Sequence, residues 1–450
     1  MTPRVDLGSF RDRSSRVFYV DGGVYRALDG PALAAWRQLA QTAFFGALLA
    51  EGKVVASEEV PLPSGVPAND GAGWAGALRH QAVPFVSYPY EWPFGMLREA
   101  ARLQLELQRR ALEAGYTLKD ASAYNVQWRG GAPLFIDVPS FVPRQPGEPW
   151  VGYLQFCQLF LYPLLLTARR GIDFHPFLRS QLDGIAPQQC DRLLGWRHRL
   201  SRGVLVDVWL QARLQAATAG TAGEASLRRE LRRERLPREV VSRNVRRLEK
   251  VVERLAWEPG SSTWSEYADT CSYSDRDAET KRRFVAQALG SRAWRLAWDL
   301  GCNTGEYARL ASEHAEYTVA LDGDHLAIER LYRRLAAAGD RRILPLVYDL
   351  MNPSPGLGWR GVERRTLLAR GRPDLVLALA LLHHLAFTGN VPLPELVDWL
   401  ASFGGHVVVE LVTKDDPMAR HLLRNKDDQY GDYTVEGFDR LVAERFEVVA

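Results

Sequence analysis

The residues of this chain best suited to chemistry follow an apolar run. In LAWDLGCNTGEYARLA, Leu296 to Ala311, the run ends in Asp299 and turns through Gly301, Asn303 and Gly305 into a helical pattern from Glu306. A helix that opens on glycines leaves its first N–H groups available to a ligand. Plain strand-to-helix packing is the competing use of such a turn. The next apolar run, EYTVALDGD, ends in Asp322 about twenty residues beyond the glycines, where a carboxylate can take both hydroxyls of a ribose. Together they indicate a nucleoside ligand. A dinucleotide fingerprint wants G-x-G-x-x-G, whereas this turn reads G-x-x-x-G with an acid two positions before it, which favours a different nucleoside.

Three further groups stand out. PDLVLALALLHHLAFT carries His383 and His384, and imidazole, with an ordinary pKa of about 6.5, suits a general base. Packing at the start of a helix is the alternative for either ring. HVVVELVTKDDPMARHLL sets Glu410, Lys414, Asp415 and Asp416 at the same end of a later run, to read a polar acceptor or simply to face water. In LKDASAYNVQWRGGAPLFID, Asp120 and Asn125 stand at D-x-x-x-x-N spacing, followed by a Gly-Gly hairpin and Asp137.

Strands are predicted near 295–300, 317–322, 342–348, 374–381 and 406–412, and helices near 306–315, 324–338 and 392–403. Strands alternating with helices of this length imply parallel βαβ units, hence an α/β, doubly wound sheet. Ligands of such sheets lie beyond the carboxyl ends of the strands, beside the first strand-to-helix turn. RFEVVA, Arg445 to Ala450, reads as a sixth strand. In the first half, VFYVDGGVYRAL reads as a hairpin, Gly30 to Gly52 as one helix, and Pro93 to Gly115 as a strong helix. Val151 to Ala168 is long and apolar, but Gln155, Gln158 and Pro163 argue for a buried core helix over a membrane span. The arginine-rich stretch from Ala222 to Trp257 intersperses glutamates, which cancel much of its attraction to phosphate, and reads as solvated connecting helices. Domains are therefore expected at 1–221 and 259–450, with a charged helical linker at 222–258. A formal net charge of +3 gives no field that would single out nucleic acid or an anionic membrane as partner. The four cysteines, Cys157, Cys190, Cys271 and Cys302, lack metal-site spacing. A polar N-terminus without an apolar h-region makes the cytoplasm the expected compartment.

The second half resembles the class I S-adenosylmethionine-dependent methyltransferases, whose first motif is an acid followed by L-G-x-G/N-x-G at the end of the first strand. Here Asp299, Leu300, Gly301, Cys302, Asn303, Thr304 and Gly305 match it, with Asn303 at the middle glycine. The resemblance implies a Rossmann-like methyltransferase sheet, S-adenosylmethionine as donor, Gly301 and its neighbours on the methionine part, and Asp322 on the ribose. It further implies Asp349 and Leu350, in ILPLVYDLMNPSP, beside adenine, and a catalytic part for His383 or His384. Trp264, Tyr267 and Tyr273 precede the motif, with Lys281 on the following helix; aromatic faces attract cations, so Tyr267 and Tyr273 are candidates to close over a sulfonium. The amide-methylating signature N-P-P-Y is absent from the sequence, which leaves the acceptor atom open. A small-molecule or glycan-type acceptor is expected.

The first half resembles the α+β fold of protein kinases and aminoglycoside phosphotransferases, in which the first acid positions an acceptor hydroxyl while the Asn and second acid hold magnesium. Asp120, Asn125 and Asp137 occupy those places. No glycine-rich phosphate loop and no V-A-I-K-like lysine stands upstream, where only Arg26 and Lys53 are available. A degenerate kinase-like domain that recognises substrate is therefore expected, with no metal assigned. A phosphotransferase or nucleotide-binding protein using those three residues, and a nucleic-acid methyltransferase, are the alternatives. The two halves together also resemble bacterial nodulation host-specificity methyltransferases.

Overall fold

The computed structural model describes residues 3–68, 73–195, 207–208, 237–258, 260, 275–427 and 429–450. Two compact units form. The first comprises Met1–Trp128, Pro133–Pro259 and Gly356–Arg364, and the second Arg129–Ala132, Gly260–Pro355 and Arg365–Ala450.

The first unit opens on an antiparallel sheet of β1 (Arg4–Val5), β2 (Ser15–Val20), β3 (Gly23–Leu28), β4 (Ser57–Val60) and β5 (Gly76–His80), in the order β1-β2-β3-β5-β4. The predicted hairpin joins β2 to β3 through Asp21 and Gly22, both at positive φ (49° and 78°), as a two-residue turn matched to strand twist demands. The single helix expected from Gly30 to Gly52 is instead two, Gly30–Ala40 and Ala43–Ala50. Thr42 separates them: its backbone is extended and its hydroxyl donates to Leu39 O at 2.7 Å, the local competition that makes threonine a helix breaker.

Helix Phe94–Glu113 buries most of one side and delivers the chain into β6 (Tyr116–Leu118) and a loop. Beyond that loop come β7 (Val126–Arg129), β8 (Ala132–Phe135) and β9 (Phe141–Pro143). The apolar stretch at Val151 to Ala168 is helical from Tyr153 and mostly buried, and no helix among the described residues is long and apolar enough to cross a membrane. It is interrupted at Cys157–Leu161, where Tyr162 N–H reaches back five residues to Cys157 O. Pro163 explains the wide turn, because its ring would collide with the carbonyl four residues earlier in a regular helix. Helix Arg238–Glu253 lays Val241, Val245, Leu248 and Val252 inward, with Glu249 accepting from Arg109 of helix Phe94–Glu113 at 3.1 Å.

The second unit is built on β10 (Trp294–Leu300), β11 (Ala315–Asp322), β12 (Ile343–Val347), β13 (Leu375–Ala378) and β14 (His406–Val409). All neighbours are parallel and the order is β12-β11-β10-β13-β14, so the winding reverses beside β10. The alternation predicted a doubly wound sheet, and both faces are covered. On one, Ala297, Leu375 and Leu377 pack with Val285 and Leu289 of helix Asp275–Leu289. Ala320 and Ile343 lie under Ile328, Leu331 and Leu335 of helix His325–Ala338. On the other face, Trp298 meets Phe403 edge-on at the end of helix Leu393–Ser402. The sixth strand expected at Arg445–Ala450 does not form. Arg445 completes helix Val435–Arg445, and the residues after it carry no strand pairing, with Val448 and Val449 exposed. β-rich composition alone does not make a strand without a neighbour to complete its backbone bonds.

Candidate functional site

The carboxyl end of β10 is tied to that of β11. Gly301 N and Cys302 N both donate to Leu321 O, at 2.8 and 3.1 Å, and Gly305 N closes the turn on Cys302 O at 2.8 Å. Asp322 then uses both carboxylate oxygens: Oδ2 accepts from Asn303 N and Oδ1 from Asp324 N, each at 2.8 Å. Glycine turn and acid are thus one hydrogen-bonded object. Three of its residues sit at positive φ, Gly301 at 73°, Asn303 at 48° and Gly305 at 80°. Asparagine tolerates that region better than most side chains. A Cβ on Gly301 would stand 3.2 Å from Leu381 Cδ1, and one on Gly305 only 2.6 Å from Leu331 Cδ1.

Beneath the turn lies Asp299, 3% exposed, with Oδ2 lacking a hydrogen-bond partner among the described residues. Burial pushes its pKa up to about 7; the Asp322 carboxylate adds to the rise and the Lys281 ammonium opposes it. Burial also raises the pKa of Asp322, against the lowering effect of the backbone amides that bind it. At the third strand, Tyr348 N donates to Asp322 O at 2.8 Å, which anchors the segment leading to Asp349 and Leu350. Asp349 is exposed and accepts from Met351 N at 2.9 Å.

After β13 the chain passes Ala380 at φ 50° and enters the wide turn His384–Thr388. His383 is 1% exposed and neither ring nitrogen has a hydrogen-bond partner among the described residues. Its ring centroid lies 4.0 Å from that of His384. Burial lowers the His383 pKa to about 3, helped by His384 and opposed by Asp416, and lowers that of His384 to about 4. Both imidazoles are therefore uncharged at neutral pH. Sequence reasoning noted Lys281 and Glu410 separately but missed that they pair: Lys281 Nζ meets Glu410 Oε2 at 2.7 Å and lies 5.1 Å from the Tyr307 ring centroid. Tyr267 and Tyr273 lie outside the described residues.

In the first unit, Asp120, Asn125 and Asp137 stand around one loop. Asp120 Oδ1 accepts from Ser122 N at 2.9 Å, and its pKa is raised by burial and by the neighbouring Asp137 carboxylate. The Asn125 side chain hydrogen-bonds the Asp120 carboxyl and, with Gln155, partly counters that rise. Asp137 Oδ1 accepts from Arg26 Nη1 at 2.9 Å. Sequence reasoning also missed His80, whose Nδ1 lies 2.7 Å from Ser57 Oγ and whose pKa falls to about 3 through burial and the nearby Arg26 charge.

No family model matches the chain. Among curated proteins it is 34% identical over 445 residues to the nodulation protein NoeA of Rhizobium meliloti strain 1021, spanning 98% of this chain and 92% of that one. Among solved structures it aligns with the N-methyltransferase NodS from Bradyrhizobium japonicum WM9 in complex with S-adenosyl-L-homocysteine. That match has 16% identity over 34% of this chain and 69% of NodS, with a TM-score of 0.26. It also aligns with WbdD, crystallised with the kinase inhibitor LY294002, at 20% identity over 38% of this chain and 37% of WbdD, with a TM-score of 0.27.

Proposed function

The chain belongs to the family of the nodulation protein NoeA, and from that premise and the geometry of the second unit we propose that it is an S-adenosylmethionine-dependent methyltransferase acting on a small-molecule or glycan-type acceptor. The observation that carries this reading is the bond between Asn303 N and Asp322 Oδ2, which fixes a glycine turn and a carboxylate at the strand-order reversal of a parallel sheet. The residues present fit the donor. Gly301 and Gly305 adopt the positive φ that the turn requires, and Asp299 holds a buried oxygen that no group among the described residues satisfies. The Asp322 carboxylate is oriented by backbone amides of Asn303, Gly323 and Asp324, and its remaining acceptor capacity is for ribose hydroxyls. Asp349 and Leu350 stand one strand further along, for the base. When bound, the donor supplies an electrophilic methyl group on a sulfonium.

The protein's share of the reaction is alignment, which contributes on the order of 7–11 kcal/mol when reacting atoms are held in place. His383, uncharged and without a hydrogen-bond partner among the described residues, accepts a proton or orients an acceptor hydroxyl or amine by hydrogen bond. Because its pKa is low, it is a weak base and its main contribution is position. The first unit recognises substrate through the loop holding Asp120, Asn125 and Asp137.

Calorimetry of the intact chain with S-adenosylhomocysteine tests the reading. Binding is expected, with a loss of at least tenfold in Asp322→Ala. Equal binding, or equal absence of heat, in both proteins sinks the proposal.

A further inference from the structure

The kinase-like pattern of residues 118–137 implies a divalent cation between Asn125 and Asp137. The side chains present do not fit one. Asp137 Oδ1 is already taken by Arg26 Nη1 at 2.9 Å, and both side chains are largely withdrawn from water, 13% and 19% exposed. A guanidinium cannot deprotonate, so it does not step aside for a second cation as a lysine or histidine can. Nor is it free to swing. Arg26 sits in the middle of β3, between Val17 of β2 and Leu78 of β5, and the same Nη1 lies 3.4 Å from Ser15 Oγ. Its charge is thus built into the sheet.

Small hard cations demand several oxygen ligands in a fixed arrangement. Here one oxygen of the second acid is occupied, and the first acid is already engaged within the protein, Asp120 Oδ1 accepting from Ser122 N and its carboxyl hydrogen-bonded by the Asn125 and Gln155 side chains.

We infer that Arg26 is the resident cation of this loop and that the first unit takes its ligand without a divalent metal. The inference concerns the first unit and stands apart from the methyl-transfer reading of the second.

The test is a titration of the full-length chain with Mn2+, with and without ATP, followed by electron paramagnetic resonance of the free ion. The wild type is expected to show no Mn2+ binding that Asp137→Asn removes. Folded Arg26→Gln, which frees the carboxylate, is expected to gain a Mn2+ site that the double variant Arg26→Gln with Asp137→Asn loses again. Circular dichroism reports folding, and Arg26→Met takes the place of Arg26→Gln if that variant does not fold. Mn2+ binding by the wild type that depends on Asp137, or no gain of binding in a folded Arg26 variant, overturns the inference.

Discussion

A buried carboxyl and two buried imidazoles pull the stability of the second unit in opposite directions with pH. Asp299 has a folded pKa raised from 3.8 to about 7, so between those values the unfolded chain has lost a proton that the folded chain keeps, and stability falls as pH rises. His383 and His384 have pKa values lowered from 6.5 to about 3 and about 4. The unfolded chain then binds more protons, and stability rises with pH up to about 6.5. The two effects offset each other over much of the acid range. Asp299→Asn removes one of them: thermal unfolding should match the wild type near pH 4 and give a rising midpoint advantage toward pH 7. An advantage independent of pH would show that Asp299 does not titrate in this window. The glycine turn gives a second residue-scale prediction. Gly305→Ala must hold alanine at φ 80° against Leu331 and should cost about 1–3 kcal/mol by denaturant titration. Asn303→Gly should cost a few tenths.

Elements were legible in the sequence where their physics is local. Each strand of a parallel sheet is buried on both faces and reads as an apolar run, which is why β10 through β14 were found. The DGG hairpin was legible because positive φ at two successive residues demands such a sequence. Thr42 splitting a helix was missed, since its apolar periodicity continues through the break and only the hydroxyl bond to Leu39 O marks it. The strand expected at Arg445–Ala450 failed because composition does not supply a partner. Long-range pairings left no trace in the sequence: Lys281 and Glu410 meet across a fold that neither helix Asp275–Leu289 nor the segment after β14 announces. The largely buried location of that pair predicts measurable coupling. A double-mutant cycle on Lys281→Ala and Glu410→Ala should give about 1 kcal/mol at low salt, shrinking as salt is added if the pair is water-accessible. Coupling near zero would mean that each charge is used elsewhere.

At the scale of the whole molecule, each unit has its own sheet and its own buried core, so binding energy gained in one need not stabilise the other. A ligand that binds only the folded state stabilises by RT ln(1 + [L]/Kd), and that gain falls on the structure that must stay closed to hold it. Local opening is what amide hydrogen exchange reads. If the proposed donor site is right, saturating S-adenosylhomocysteine should slow exchange in peptides spanning Leu300–Gly305, whose amides hold the turn against Leu321 O and Asp322, and in Asp322–Asp324. Peptides covering Tyr116–Trp128 of the first unit should exchange at unchanged rates. Protection confined to the first unit would place the nucleoside there. Protection spread evenly over both would mean that the two cores open together, and the independence argued from their separate sheets would fail.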